Sequence, residues 1–307
     1  MIMFETLIGA LAAITLASPV QAQTLFDQYI EQMPQAEVTV PQQISAPIKK
    51  RKESLGIKTN AAAVFVADVA SGKVLFAQNE HEVMPIASLT KLMTAMVFLD
   101  QKVDMTALVE MKAEDFDNES KPIFKVGEQL TYGELLESML VGSVNASASA
   151  LARSTLGREN FVAAMNAKAR EMNLESPHYA DPSGLDPRNS ANAADIAAII
   201  THASGYPQIT AAMQKPEVII RGHKTGQVYD VKTTNLLLST FLNKKPYSVV
   251  AAKTGSLPEA GYCMAQITQR GDGSSVVAVE LGDDNHFARF QDIKALTNWA
   301  FDTYEWD

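Results

Sequence analysis

Ser88 and Lys91 stand three residues apart in the tetrad Ser88-Leu89-Thr90-Lys91, at the start of a predicted helix. That spacing is nearly one helical turn, so both side chains share a face. A serine hydroxyl is a poor nucleophile until a base takes its proton. A lysine serves as that base only when burial or a nearby cation lowers its pKa. A helix N-terminus also points backbone N–H groups towards developing negative charge. Taken alone, the tetrad reads more simply as a capping serine beside a surface lysine.

Two further groups give it partners. Ser143-Val144-Asn145 falls in the break between two predicted helices, where side chains can face a cleft. Lys253-Thr254-Gly255 directly follows the apolar run Ser248 to Ala252. A cation, a hydroxyl and a glycine on an inner strand suit a carboxylate-binding edge, with Gly255 letting a ligand lie against the backbone. A second Lys-Thr-Gly, Lys224-Thr225-Gly226, sits between Arg221-Gly222-His223 and Gln227 and reads as a polar hairpin turn. The later copy is therefore the candidate.

The elements that must position these groups follow from periodicity. Ala61 to Val69 and Lys73 to Gln78 are β-rich runs joined by Ala70-Ser71-Gly72, which predicts a hairpin. Leu89 to Gln101, Tyr132 to Val141, Ala146 to Leu156, Phe161 to Met172 and Ala191 to Ala203 are predicted helices. Asp181-Pro182-Ser183-Gly184-Leu185-Asp186-Pro187 is turn-rich. Val218 to Ile220 and Val228 to Val231 predict a second hairpin. Ser248 to Ala252, Cys263 to Thr268 and Ser275 to Leu281 read as strands, and Ala288 to Tyr304 as a closing helix. Strands at both ends and helices between them predict an α+β fold. One antiparallel sheet would form from the two chain ends, with a helical region inserted.

The chain has 307 residues and 47% hydrophobic content, ample for a core. Its net charge of -9 argues against nucleic acid as a partner. Leu7 to Ala17 is an apolar run of signal-peptide length, too short to cross a bilayer. Val20-Gln21-Ala22 suits signal peptidase, so residues 1–22 are expected to be a cleaved signal, although Glu5 stands where positive charge is usual. Residues 23–58, with Pro34, Pro41 and Pro47, read as a leader or linker, and 59–307 as the folded domain. Lys49-Lys50-Arg51-Lys52 reads as solvated surface. No later stretch is apolar enough for a transmembrane anchor. Cys263 is the only cysteine and reads as a buried thiol. No His-Glu-x-x-His pattern occurs, and no metal or cofactor is expected.

Ser-x-x-Lys, Ser-x-Asn and Lys-Thr-Gly in this order characterise penicillin-recognising enzymes. From about residue 61 to 282 the chain resembles the low-molecular-mass penicillin-binding proteins, the D-alanyl-D-alanine carboxypeptidase and endopeptidase family. The resemblance is carried by Pro85-Ile86-Ala87-Ser88-Leu89-Thr90-Lys91-Leu92-Met93-Thr94-Ala95, Ser143-Val144-Asn145, Asp181-Pro182-Ser183-Gly184-Leu185, Thr233-Thr234-Asn235-Leu236-Leu237 and Lys253-Thr254-Gly255. Val144 departs from the acidic or small residue usual there.

The resemblance implies the penicillin-recognising fold and a set of roles. Ser88 would form an acyl-enzyme with the penultimate D-alanine, with Lys91 as general base. Ser143 would pass the proton to the leaving amine, and Asn145 would hold the substrate backbone. Lys253 and Thr254 would bind the terminal carboxylate, with Lys253 helping to keep Lys91 neutral by repulsion. The N–H groups of Ser88 and Ser256 would form an oxyanion hole, worth about 3 kcal/mol per donor. Peptidoglycan stem peptides are the expected partners, β-lactam antibiotics the expected covalent inhibitors, and the periplasm the expected location. No Glu-x-x-Leu-Asn segment lies between Asn145 and Lys253, so rapid β-lactamase turnover is not expected. A non-catalytic binding module is disfavoured because every catalytic position is filled. The chain after Lys253 has length for two strands and a helix, and none for an added β-rich domain or amphipathic anchor. That compact build favours cross-link cleavage by a D,D-endopeptidase over trimming of pentapeptides by a D,D-carboxypeptidase.

Overall fold

The computed structural model describes residues 45–116 and 122–307. The expected signal peptide, its cleavage site after Ala22 and most of the expected leader lie outside the described residues.

The main sheet has five antiparallel strands: β1 (Ala63–Asp68), β2 (Val74–Gln78), β3 (Tyr247–Leu257), β4 (Gly261–Arg270) and β5 (Ser275–Asp283). Their order is β3-β4-β5-β1-β2, so β5 and β1 join the two ends of the chain. In that seam Val276 lies opposite Asp68 and Leu281 opposite Ala63. Seven helices complete the fold: α1 (Thr90–Asp100), α2 (Tyr132–Val141), α3 (Asn145–Thr155), α4 (Arg158–Glu171), α5 (Ala193–Ser204), α6 (Pro207–Met213) and α7 (Ala288–Thr303), counted among the described residues.

Strand alternation divides the core in two. Val64, Val66, Met264, Val276 and Ala278 share one apolar cluster with Phe290, Ile293 and Leu296 of α7. Ala63, Ala67, Ala265, Val277 and Val279 share the other with Ile196, Ile199 and Ile200 of α5. The sheet is therefore apolar on both faces, each covered by helix. Helix α1 lies among α2, α3, α4 and α5, and every residue from Thr90 to Phe98 is buried. A helix apolar all round belongs in an interior. Its neighbours have sequence-encoded starts. Thr131 and Glu134 make a reciprocal capping box on α2, and Asn192 accepts from Asp195 N at 2.7 Å on α5. Each cap is worth about 1 kcal/mol.

The expected α+β architecture is present, with differences. The strand predicted to stop at Ala252 continues to Leu257 and contains Lys253-Thr254-Gly255. Buried polar side chains at Lys253 and Thr254 interrupt the apolar pattern that marks a strand. Helix α6 and the short hairpin Leu108–Glu110 with Gln129–Thr131 were not predicted, each being too short for a clear period. Ile48–Lys49 pairs with Tyr304–Glu305, so the described domain includes residues ahead of the expected start at 59.

Two buried carboxyls sit in opposite environments. The Lys224-Thr225-Gly226 turn wraps Glu128, whose carboxylate accepts from Gln129 N at 2.9 Å, Lys224 N at 3.0 Å, Tyr229 OH at 3.1 Å and the Thr225 hydroxyl. Burial raises the Glu128 pKa, but these bonds outweigh it and bring the group to about 2. Glu280 on β5 is fully buried. Burial, a hydrogen bond with Asp283 and the charges of Asp292 and Asp283 raise it to about 10.

The linkage signs differ accordingly. Glu128 is depressed below its unfolded value of about 4.5, so its stabilisation is complete above that pH and is lost as pH falls towards 2. Glu128→Gln should cost about 2 kcal/mol at pH 7 and flatten the acid limb of denaturant-unfolding curves. Glu280 is raised, so the folded state binds the extra proton and stability falls as pH rises from about 4.5 to 10. Glu280→Gln should remove that decline and raise Tm at pH 8, read by calorimetry across pH.

Candidate active site

Ser88 lies in a single 3-10 turn, Ala87–Leu89, that leads directly into α1. Ala87 holds φ +47°, a left-handed conformation costly for a non-glycine residue. The surroundings hold it there. Ile86 N donates to Asn189 O at 3.0 Å, and Asn189 Nδ2 donates to Thr90 Oγ1 at 3.0 Å. Gly184, at φ +85°, lies so close that a Cβ would stand 2.0 Å from Ala87 O. On the other side, a Cβ on Gly255 would stand 2.8 Å from Ile86 O and 3.2 Å from Ser88 N. Gly255 therefore lets strand β3 lie against the nucleophile turn. This packing role is additional to the expected one of leaving room for a ligand, since Gly255 also lines the cavity described below.

The turn-rich segment is the second clamp. Asp181 Oδ1 accepts from Ser183 N at 2.5 Å, Ser183 Oγ at 2.8 Å and Gly184 N at 2.6 Å, while Oδ2 accepts from Asp186 N at 2.6 Å. Thr94 Oγ1 on α1 donates to Pro182 O at 2.6 Å. This network turns the Ser183 carbonyl towards α1.

Lys91 is fully buried. Its Nζ reaches Ser88 Oγ at 2.9 Å, Asn145 Oδ1 at 2.6 Å and Ser183 O at 2.5 Å. An ammonium has three donors, and these contacts match three acceptors. Run in reverse, from hydroxyl to neutral amine, the 2.9 Å contact is a path for the Ser88 proton. Asn145 starts α3 and uses its carbonyl oxygen on Lys91. Its amide nitrogen makes no hydrogen bond among the described residues.

Ser143 adopts φ +58° in the break between α2 and α3. Its hydroxyl accepts from Lys253 Nζ at 2.8 Å, and Lys253 Nζ also donates to Thr254 O at 3.0 Å. Lys253 is buried, and burial holds its pKa well below the usual lysine value, helped by the charges of Lys91 and Arg289. Thr254 Oγ1 donates to Thr234 Oγ1 at 2.7 Å. A cavity of about 310 Å³ opens over these groups, lined by Ser88, Ser143, Thr234, Thr254, Gly255, Ser256, His286 and Arg289, with others. Of the eight residues expected from sequence, five line it. Lys91 and Lys253 are buried behind the wall and reach the liners Ser88 and Ser143, while the half-buried Asn145 bonds Lys91.

Four contributors escaped sequence reasoning. Ser183 acts through its carbonyl, which no residue type signals. Thr234 lay in a family-like stretch without an assigned role. His286 belongs to no motif; it is exposed and lines the cavity, its pKa lowered by burial and by Arg289. Arg289 is 4% exposed, and its Nη1 donates to Gly255 O at 2.7 Å. A lone arginine at the start of an apolar helix was its only signal.

Comparison with known proteins agrees with this geometry. The profile of the family described as D-alanyl-D-alanine carboxypeptidase matches residues 48–285. The D-alanyl-D-alanine endopeptidase of Pseudomonas aeruginosa is 32% identical over 245 residues, covering 78% of this chain and 76% of that one. Its namesake in Escherichia coli is 25% identical over 243 residues, with the same coverage of 78% and 76%. Among solved structures, a Streptomyces DD-transpeptidase superposes with TM-score 0.74 at 25% identity, covering 81% of this chain and 100% of that one. The expected penicillin-recognising fold is thus present. With its fold, its Ser88–Lys91 pair and a family match across most of its length, the chain belongs to the D-alanyl-D-alanine carboxypeptidase family of serine peptidases.

Proposed function

We propose that this protein is a peptidoglycan D,D-endopeptidase that cleaves D-alanyl cross-links through a Ser88 acyl-enzyme. The observation that carries the chemistry is the 2.9 Å contact between Lys91 Nζ and Ser88 Oγ inside a buried hydrogen-bonded frame. The preference for cross-links is supported by the endopeptidases of P. aeruginosa, E. coli and Haemophilus influenzae among its relatives. Carboxypeptidase action on pentapeptides is the second reading, supported by a Bacillus subtilis carboxypeptidase 28% identical over 263 residues.

Each group has a role in this reaction. Neutral Lys91 takes the Ser88 proton as the hydroxyl attacks the D-alanyl carbonyl. Strand β3 is at the sheet edge, so an extended peptide can add beside it. The N–H groups of Ser88 and Ser256 receive the oxyanion. Ser143, bonded to Lys253, relays a proton to the departing amine. Lys253, Thr254 and the nearby Arg289 favour the carboxylate on the leaving side, and the Asn145 amide nitrogen is available to the substrate backbone. Water then releases the acyl group. β-Lactams acylate the same serine, and without a dedicated carboxylate base their release is slow. We place the protein in the periplasm, exported by the expected signal peptide. No described helix is long and apolar enough to cross a membrane.

Fluorescent penicillin should label the protein covalently. Ser88→Ala should abolish the label and lower hydrolysis by roughly a thousand-fold or more; a labelled Ser88→Ala would move the nucleophile elsewhere. Incubated with purified cross-linked muropeptide dimers, the wild-type protein should yield monomers by mass spectrometry. Trimmed pentapeptides beside intact dimers would establish the carboxypeptidase reading instead.

A further inference from the structure

The cavity over Ser88 holds two threonine hydroxyls in contact. Thr254 Oγ1 on β3 donates to Thr234 Oγ1 at 2.7 Å, and both residues line the space. A hydroxyl carries one hydrogen and can accept at its lone pairs. Thr254 spends its hydrogen on Thr234 and has none left for a ligand. Thr234 keeps its own, and its hydroxyl makes no other hydrogen bond among the described residues. The motif threonine is therefore the engaged member of the pair, and the threonine outside the motif is the one with a donor to give. A hydroxyl that accepts a hydrogen bond also donates more strongly.

The backbone around Thr234 is fixed on both sides. Thr234 N donates to Val141 O at 3.1 Å, at the last residue of α2 and two positions before Ser143. Asn235, 4% exposed, accepts from Leu237 N at 2.9 Å through Oδ1. Asn235 N donates to Thr233 Oγ1 at 3.1 Å, so Thr233 serves the turn while Thr234 meets β3. The same cavity is lined by Arg289 and by Ser143, which accepts from Lys253 Nζ. We propose that Thr234 is a specificity-determining residue, whose hydroxyl donates to the leaving-side carboxylate while Thr254 orients it from β3. The inference rests on the peptidoglycan reading above. A carboxylate offers only acceptors, so it takes the surplus hydrogen of the pair and faces Arg289 with no donor unmet. A carboxamide turns N–H groups towards the same wall and is poorly matched there.

The test uses synthetic peptides cut at a D-alanyl bond, whose leaving residue bears a free carboxylate or a carboxamide. Thr234→Val should lower kcat/KM for the carboxylate form by roughly ten-fold, the scale of a hydrogen bond to a charged group. The carboxamide form should fall much less, so the preference between the two shrinks. Thr234→Ser should keep the wild-type preference, which separates loss of the hydroxyl from loss of packing. Thr254→Val removes only the orienting contact and should cost roughly two-fold. A preference unchanged in Thr234→Val would overturn the assignment. So would a larger loss in Thr254→Val than in Thr234→Val, which would make Thr254 the donor to the carboxylate. Penicillin acylation of the wild-type protein is measured in parallel. Failure of acylation sinks the acyl-enzyme reading itself, whereas intact acylation with an unchanged preference in Thr234→Val sinks this inference alone.

Discussion

The site depends on how closely one short turn can be pressed between two stretches of backbone. Ala87–Leu89 is held by Gly184 on one side and Gly255 on the other, at separations that leave no space for a methyl group. This contact sets the left-handed Ala87 and aims the Ser88 hydroxyl. It also puts the Ser88 amide beside Gly255 of β3. Deforming any of the three segments would shift the nucleophile relative to its base. A displacement of about 1 Å is enough to cost two orders of magnitude in rate.

Around that clamp lies an expensive arrangement of charge. Lys91, Lys253 and Arg289 are all nearly inaccessible, and burying cations is costly unless their hydrogen bonds are met. Neutral acceptors take the two lysines and Arg289 Nη1: the carbonyls of Ser183, Thr254 and Gly255, the Asn145 amide oxygen and the hydroxyls of Ser88 and Ser143, while the buried Arg289 Nε has no hydrogen-bond partner among the described residues. None of these acceptors is a carboxylate. An acidic partner would bind the lysines as permanent cations and remove their use in proton transfer. Neutral partners satisfy the geometry while leaving the proton exchangeable.

The legible parts of the molecule were those with strong local pattern. Helices α2 and α3 followed from unbroken periodicity, and the β1–β2 hairpin from its turn residues. Ser88 and Lys91 stood out because their residue types at that spacing carry chemistry, and the structure brings them to 2.9 Å. The end of β3 was obscured because the residues that make it functional are polar where a strand's apolar alternation would be expected. Ser183 was invisible because its contribution is a carbonyl, and Arg289 because tertiary packing alone brings α7 to β3. The two Lys-Thr-Gly segments are instructive. Lys224-Thr225-Gly226, dismissed as a turn, does hold a carboxylate, that of Glu128. What separates the copies is vacancy: one grips a residue of its own chain, and the other faces an open cavity.

The seam between β5 and β1 has a consequence for the order of events in the cell. Strand β1 waits for a neighbour that lies more than two hundred positions further along the chain, because Ala63 pairs with Leu281. The nucleophile turn is made early, whereas the strand that must press against it is made late. A chain still emerging from the ribosome has Ser88 before it has the strand that braces it. Contacts of such long range form slowly and only after distant segments meet. The topology therefore acts as a delay: the site stays unassembled until nearly all of its domain has arrived.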